Sequence, residues 1–337
     1  MRAGALVVPG VVATWLLCPT AAPGNTLHID KALPQPVIVA GYGGYLGWSE
    51  FDRKHRRYRL MSAYDGRVSR LSVRGSNAPF DVNIGPGSDG KPVAVYTRCQ
   101  RRQRCRIYEY SFALHREKRI RLPQNAVGSA RLPTVWRSRL AYQLDGPAGR
   151  PPKAVILAGT SVSKVQMGPA GAFDPYDDGP VGSTSLAFAG SILLSTWHYW
   201  PTTQACGFDP GSASGPQQDS QLSAYRGQGD PRVLLHGGCV EDRPTFEIDG
   251  VRASRFDRIT FIQVTTAARS FRVSRWNLAS GARQVAVLGS GLRPDAYAED
   301  GRGHSLLVGS SLDTGMTRLT SAPLHFVTDS QRTPALR

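Results

Sequence analysis

Runs that read as the second strand of a small antiparallel sheet begin at Tyr45, Pro92, Arg139, Ser191, Arg258 and His304, in steps of 47, 47, 52, 67 and 46 residues. A period of this size constrains the fold more than any composition figure does. Each copy is one supersecondary unit that can bury its apolar face only by packing on the next. The clearest copy runs Phe80-Asp81-Val82-Asn83-Ile84, a turn ending Ser88-Asp89-Gly90, then Val93-Ala94-Val95-Tyr96, Ile107-Tyr108-Glu109-Tyr110 and Lys118 to Leu122. That is four short strands of β-branched and aromatic residues separated by turn formers. Asp65-Gly66 and Ser280-Gly281 supply similar hairpin turns between third and fourth strands in other copies.

Six four-stranded antiparallel sheets arranged radially make an all-β, six-bladed β-propeller, which leaves only short, protected strand edges. The 36 Gly and 24 Pro lie between these runs and not in one tail, which argues against a helical bundle and against wholesale disorder. Two stacked β domains are the competing arrangement. Where Ser88-Asp89-Gly90-Lys91-Pro92-Val93-Ala94-Val95-Tyr96 leads into Arg106-Ile107-Tyr108-Glu109-Tyr110, the chain resembles the TolB-type, WD-repeat-like six-bladed propellers. The resemblance extends over residues 36 to 328 and rests on blade structure. It implies the fold and says nothing of function. Closing the ring needs a strand from one terminus beside the last blade, and both Leu27-His28-Ile29 and Leu324 to Val327 can supply it.

The first 24 residues have the order of a secretory signal: Arg2, an apolar stretch from Ala3 to Cys18, then small residues through Gly24. Cleavage after Ala21 or Gly24 is expected. Lipidation of Cys18 is disfavoured by Leu17, which stands where a lipoprotein signal carries Gly or Ala. Residues 25–35 then form an N-terminal extension able to close the ring, 36–328 the propeller, and 329–337 a tail. No later stretch is long and apolar enough to span a membrane. The expected location is secreted or cell-envelope associated. Cys99, Cys105, Cys206 and Cys239 remain, an even number that reads as two disulfides in an exported chain. Three pairings are formally possible. Cys99 and Cys105 flank a short turn between two strands and so can face each other across a hairpin, which leaves Cys206 for Cys239.

The chain carries 41 Lys and Arg against 25 Asp and Glu, a formal net charge of +16, yet only six of its cations are Lys. Anionic partners follow from the charge, although an Arg bias this strong is also what a GC-rich genome produces everywhere. In a propeller blade with strands A to D counted outward from the axis, the B-to-C turns and the D-to-A links share one face. That face gathers the basic tip Arg53-Lys54-His55-Arg56-Arg57, the tip bearing Arg101, Arg102 and Arg104, and the insertion from Tyr199 to Ser220. It also takes Asp177 and Asp178 on one link, and Glu241 and Asp242 on another. Trp197-His198-Tyr199-Trp200 precedes the insertion, and aromatic planes beside carboxylates can hold a sugar or a peptide. Alternation along a strand instead packs Trp197 and Tyr199 between blades, leaving His198 and Trp200 exposed.

No metal or cofactor is expected. There is no CxxC pair or nearby His pair, and the stretch from Asp174 to Gly179 has Tyr176 at a calcium-ligand position with no Glu at the twelfth place. GxSxG and HExxH are missing too, as is any nucleic-acid motif. The reading is an exported, non-catalytic, monomeric propeller that binds a protein, a glycan or an anionic envelope polymer through its loop-rich face. The rival is a hydrolase or lyase with its site at the mouth of the axial channel, built from Asp177, Asp178, Glu241, Asp242 and His198.

Overall fold

The computed structural model describes residues 26–99, 105–123, 130–144, 153–168, 182–199, 219–240, 243–244, 246–265, 269–321 and 323–330. Among the described residues there is no helix, and the strands form six four-stranded antiparallel blades around one axis. Blade one comprises Val39–Tyr42, Tyr45–Asp52, Arg57–Tyr64 and Arg67–Arg70. Blade two comprises Val82–Pro86, Pro92–Cys99, Cys105–Ser111 and Arg116–Arg119. Blade three follows with Ala130–Trp136, Arg139–Leu144, Lys153–Ala158 and Ser161–Val165, and blade four with Gly182–Ala189, Ile192–Tyr199, Asp219–Tyr225 and Arg232–Gly237. Blade five is Glu247–Ala253, Arg258–Thr265, Ser270–Asn277 and Arg283–Leu288. The innermost strands contact one another in sequence and the last, Leu292–Glu299, contacts the first, so the ring is closed.

Blade six takes only three strands from its own repeat, Leu292–Glu299, Ser305–Ser311 and Thr317–Thr320. Its outer strand is Asp30–Leu33, paired antiparallel from Asp30 opposite Thr320 to Leu33 opposite Thr317. Leu27 and Ile29, just before it, are buried in the core between blades six and one. The second terminal candidate is used as well. Val327–Thr328 pairs with Gln284 and Val285 and adds a fifth strand outside blade five.

The blades are wedges, and large aromatic side chains fill the space between them. Trp48, Tyr96, Tyr142 and Trp197 stand on the second strands of blades one to four, with Trp276 in blade five and Tyr297 in blade six, all fully buried. Near the axis the spacing shrinks, and there small residues are required. A Cβ on Gly85 would lie 2.3 Å from the carbonyl oxygen of Val135 in the next blade. Glycine at that point lets two inner strands approach closely.

Candidate functional site

The first strand of every blade starts on the face that carries the B-to-C turns. On that face a cleft of about 490 Å³ lies over blades one to four at the mouth of the axis. One wall is the blade-two hairpin, closed by a disulfide between Cys99 and Cys105. Val37, Ile38, Pro79 and Leu132 make it apolar, and Asp81, Arg131 and Gln143 bring polar groups to it. The positions of these residues follow from topology. Asp81 and Arg131 stand at the inner-strand starts of blades two and three, and Gln143 lies on the second strand of blade three, opposite Arg131.

The carboxyl of Asp81 accepts from the Leu132 backbone N–H at 3.4 Å. Burial pushes its pKa above the usual carboxylate range, opposed by hydrogen bonds from Leu132 and Thr97 and by the charges of Arg131 and Arg252. Gln143 is 8 % exposed, and its buried Oε1 has no hydrogen-bond partner. A buried acceptor left unpaired costs free energy.

Beneath the cleft the axis is filled. Asn83 of blade two donates from Nδ2 to the Leu186 carbonyl of blade four at 3.2 Å. The fully buried Arg252 of blade five donates from Nε to the Val39 carbonyl of blade one at 2.9 Å and to the Val251 carbonyl at 2.7 Å. Burial lowers the Arg252 pKa to about 10, while Asp249 and Asp81 oppose the shift, so it stays cationic at neutral pH. Only about 10 Å³ of open space remains between these groups, lined by Asp81, Asn83, Leu132 and Arg252. A ligand at the mouth therefore meets a floor.

The sequence-predicted residues divide into groups. Arg53, Lys54, Arg56 and Arg57 are exposed on the blade-one tip, as expected of that face. Asp52 shapes the tip, accepting from the Lys54 N–H at 3.1 Å and pairing with His55 Nδ1 at 2.5 Å and with Arg59. Trp197 is 1 % exposed in the core between blades three and four, so its indole packs and does not face solvent. His198 is likewise buried at 8 % and donates from Nε2 to the Ile248 carbonyl at 2.9 Å. The expected exposure of His198 is thus replaced by a structural link to blade five. Tyr199 ends its strand and Cys239 lies in a two-residue ladder with Pro244. Trp200, Asp177, Asp178, Glu241, Asp242, Arg101, Arg102, Arg104 and Cys206 lie outside the described residues, and with them the Cys206–Cys239 pairing.

Sequence reasoning missed Asp81, Arg131, Gln143 and Arg252. A usable signal was the polar residue at the start of an otherwise apolar inner strand, where the chain turns in toward the axis.

No protein-family model matches the sequence, and no curated protein does. Solved structures do. AofleA from Arthrobotrys oligospora matches over 93% of this chain and 93% of its own, at 10% identity and TM-score 0.51. A fucose-specific lectin from Aleuria aurantia matches over 93% of this chain and 98% of its own, again at 10% identity and TM-score 0.51. They share its fold. TolB from Acinetobacter baumannii is similar at 12% identity and TM-score 0.49, and the match spans 84% of this chain but 65% of that one. Identities this low speak for the six-bladed architecture alone.

Proposed function

We propose that this protein is a binding propeller, exported from the cell, that holds an extended peptide segment of a partner protein in the cleft at the axial mouth. The observation that carries the reading is the cleft itself, which sets an apolar wall of Val37, Ile38, Pro79 and Leu132 beside the polar groups of Asp81, Arg131 and Gln143. Extended peptide presents main-chain polar groups to such side chains and apolar side chains to such a wall. Its volume falls within the usual range for ligand sites. The hydroxyls nearby are already engaged, Ser183 with Ser195 at 2.7 Å and Thr184 with Thr196 at 2.8 Å, which leaves fewer free groups for a polyhydroxylated ligand. Export is supported by the signal-like leader and by the Cys99–Cys105 disulfide.

The test is to screen the protein against arrays of immobilised peptides and of glycans, then repeat with Gln143→Leu. Peptide hits that weaken about tenfold in the variant, by roughly the cost of one buried hydrogen bond, are the expected result. Hits confined to glycans, or peptide hits indifferent to the substitution, overturn it.

A further inference from the structure

The opposite face, formed by the A-to-B and C-to-D turns, holds a second cleft at the seam of the ring. It measures about 250 Å³ between blades five and six and is lined by Arg255, Arg258, Arg275, Glu299, Arg302 and His304. An adjoining hollow of about 280 Å³ shares Arg302 and His304 and is walled by Leu27 and Pro323, one from each end of the chain.

Four guanidinium groups face one acidic side chain here, and that acid is already committed. Glu299 accepts from Arg275 Nε at 3.1 Å and from the Tyr297 hydroxyl at 2.8 Å, with a further close contact to Arg275 Nη2. Asp300, the next acid along the chain, accepts from the Arg302 and His304 N–H groups at 2.6 and 3.1 Å and holds His304 Nδ1 at 2.8 Å. Arg255, Arg258 and Arg302 therefore keep their charge uncompensated in one cleft.

Two of the three are also held in place. Arg255 donates from Nη2 to the Gly301 carbonyl at 2.7 Å, and Arg302 donates from Nη1 to the Tyr64 hydroxyl at 3.3 Å while lying over that ring. Tyr64 in turn stacks on Tyr45, and Tyr45 on Phe112. Each anchor uses one of five N–H donors, so most of each fork remains available in a fixed orientation. The Arg258 side chain, half-buried between them, has no hydrogen bond or ion pair among the described residues. Arg255 and Arg302 are exposed and Arg258 is half-buried, so the cluster is open to solvent, and an anion entering it relieves the repulsion among the like charges.

We infer that this seam cleft is an anion site, taking a compact oxyanion group carried on a small polar body. The Arg-lined part receives the oxyanion through forked hydrogen bonds, and the hollow beside Leu27 and Pro323 receives the body. Each part is small, one admitting a single oxyanion group and the other a compact polar body, which together suit something of monosaccharide size. The carboxylate of a uronic acid and the phosphate of a sugar phosphate share this chemistry. The site lies on the other face from the peptide cleft and stands independently of it.

Isothermal titration of the full mature chain with glucuronate, glucose 6-phosphate, inorganic phosphate and uncharged glucose tests the assignment. Saturable binding of one or both anionic sugars is expected, with glucose inert; which sugar binds tells carboxylate from phosphate, and competition by inorganic phosphate locates the head group. Arg258→Gln, which removes no hydrogen bond or ion pair among the described residues, should weaken binding about tenfold, and Arg258→Gln with Arg302→Gln further still. Arg56→Gln with Arg57→Gln on the far face should leave it unchanged. No saturable binding of any of the three anions up to about 10 mM overturns the proposal. Equal weakening in the far-face variant overturns it too, since only net charge would then be at work.

Discussion

Arg252 in blade five reaches past blade six to the carbonyl oxygen of Val39 in blade one, 213 residues away in sequence, and bonds to it at 2.9 Å. A cation in this position ties non-adjacent blades through the axis, as Asn83 does between blades two and four. Replacing Arg252 with Ala strands the Val39 and Val251 carbonyls and leaves the buried Asp81 with Arg131 as its remaining nearby positive charge. A loss of about 3 kcal/mol or more is expected in urea unfolding, as for other buried charges deprived of a partner.

Asp81 gives a dependence on pH with a definite sign. Its folded pKa is raised, chiefly by burial. Between the unfolded carboxylate range near pH 4 and that raised value, the folded chain holds a proton that the unfolded chain has lost. Stability from this group is thus complete in acid and declines as pH rises through the folded pKa. Asp81→Asn removes the decline. The melting temperature of the variant minus that of the wild type should grow from pH 4 toward pH 7, and a difference that shrinks instead would contradict the assignment.

The Cys99–Cys105 bridge closes a loop with a sequence separation of 6. A loop this small restricts the unfolded chain modestly, so changing both residues to Ser should cost about 2 kcal/mol in denaturant unfolding. The same change loosens one wall of the peptide cleft. Affinity for a peptide found on the array should fall along with stability, because ordering that wall becomes part of binding.

Gly168 and Trp197 report on packing between blades three and four. A Cβ at residue 168 would lie 2.2 Å from the indole of Trp197. Gly168→Ala should therefore destabilise by about 1 to 3 kcal/mol through overpacking, and Trp197→Ala by about 3 to 5 kcal/mol through the cavity left. Calorimetry checks both. Neither change should act on a ligand at the axial mouth beyond what the loss of fold accounts for.

Blade architecture was legible because each strand carries its own signal. Second strands read as starting at Tyr45, Pro92, Arg139, Ser191, Arg258 and His304 are observed to start at Tyr45, Pro92, Arg139, Ile192, Arg258 and Ser305. Ring closure was harder, since Leu27 to Ile29 and Leu324 to Val327 are both short and apolar. The N-terminal side closes the ring, through Asp30–Leu33 just after Ile29, while the C-terminal segment lies outside blade five and takes no part in closing blade six. Beyond the polar residues that start the inner strands of blades two and three, the polar floor was not legible. Asp81, Arg131 and Arg252 come from three repeats and are single residues in ordinary-looking strands, and only the ring brings them together. His198 was misjudged for a related reason, because alternation along one strand cannot show that its outward side meets the Ile248 carbonyl of the next blade.

The pairing of Asp30–Leu33 with Thr317–Thr320 also sets an order of events as the chain is made. Residues 30 to 33 leave the ribosome before any blade exists, and their partners follow almost three hundred residues later. Five blades can take shape during that interval with the outermost strand of the sixth still waiting. Contacts so distant in sequence are slow to form, and an uncovered strand is open to wrong pairing in the meantime. The earliest strand of the propeller is among the last to be seated, and until it is, the sixth blade lacks its outer edge.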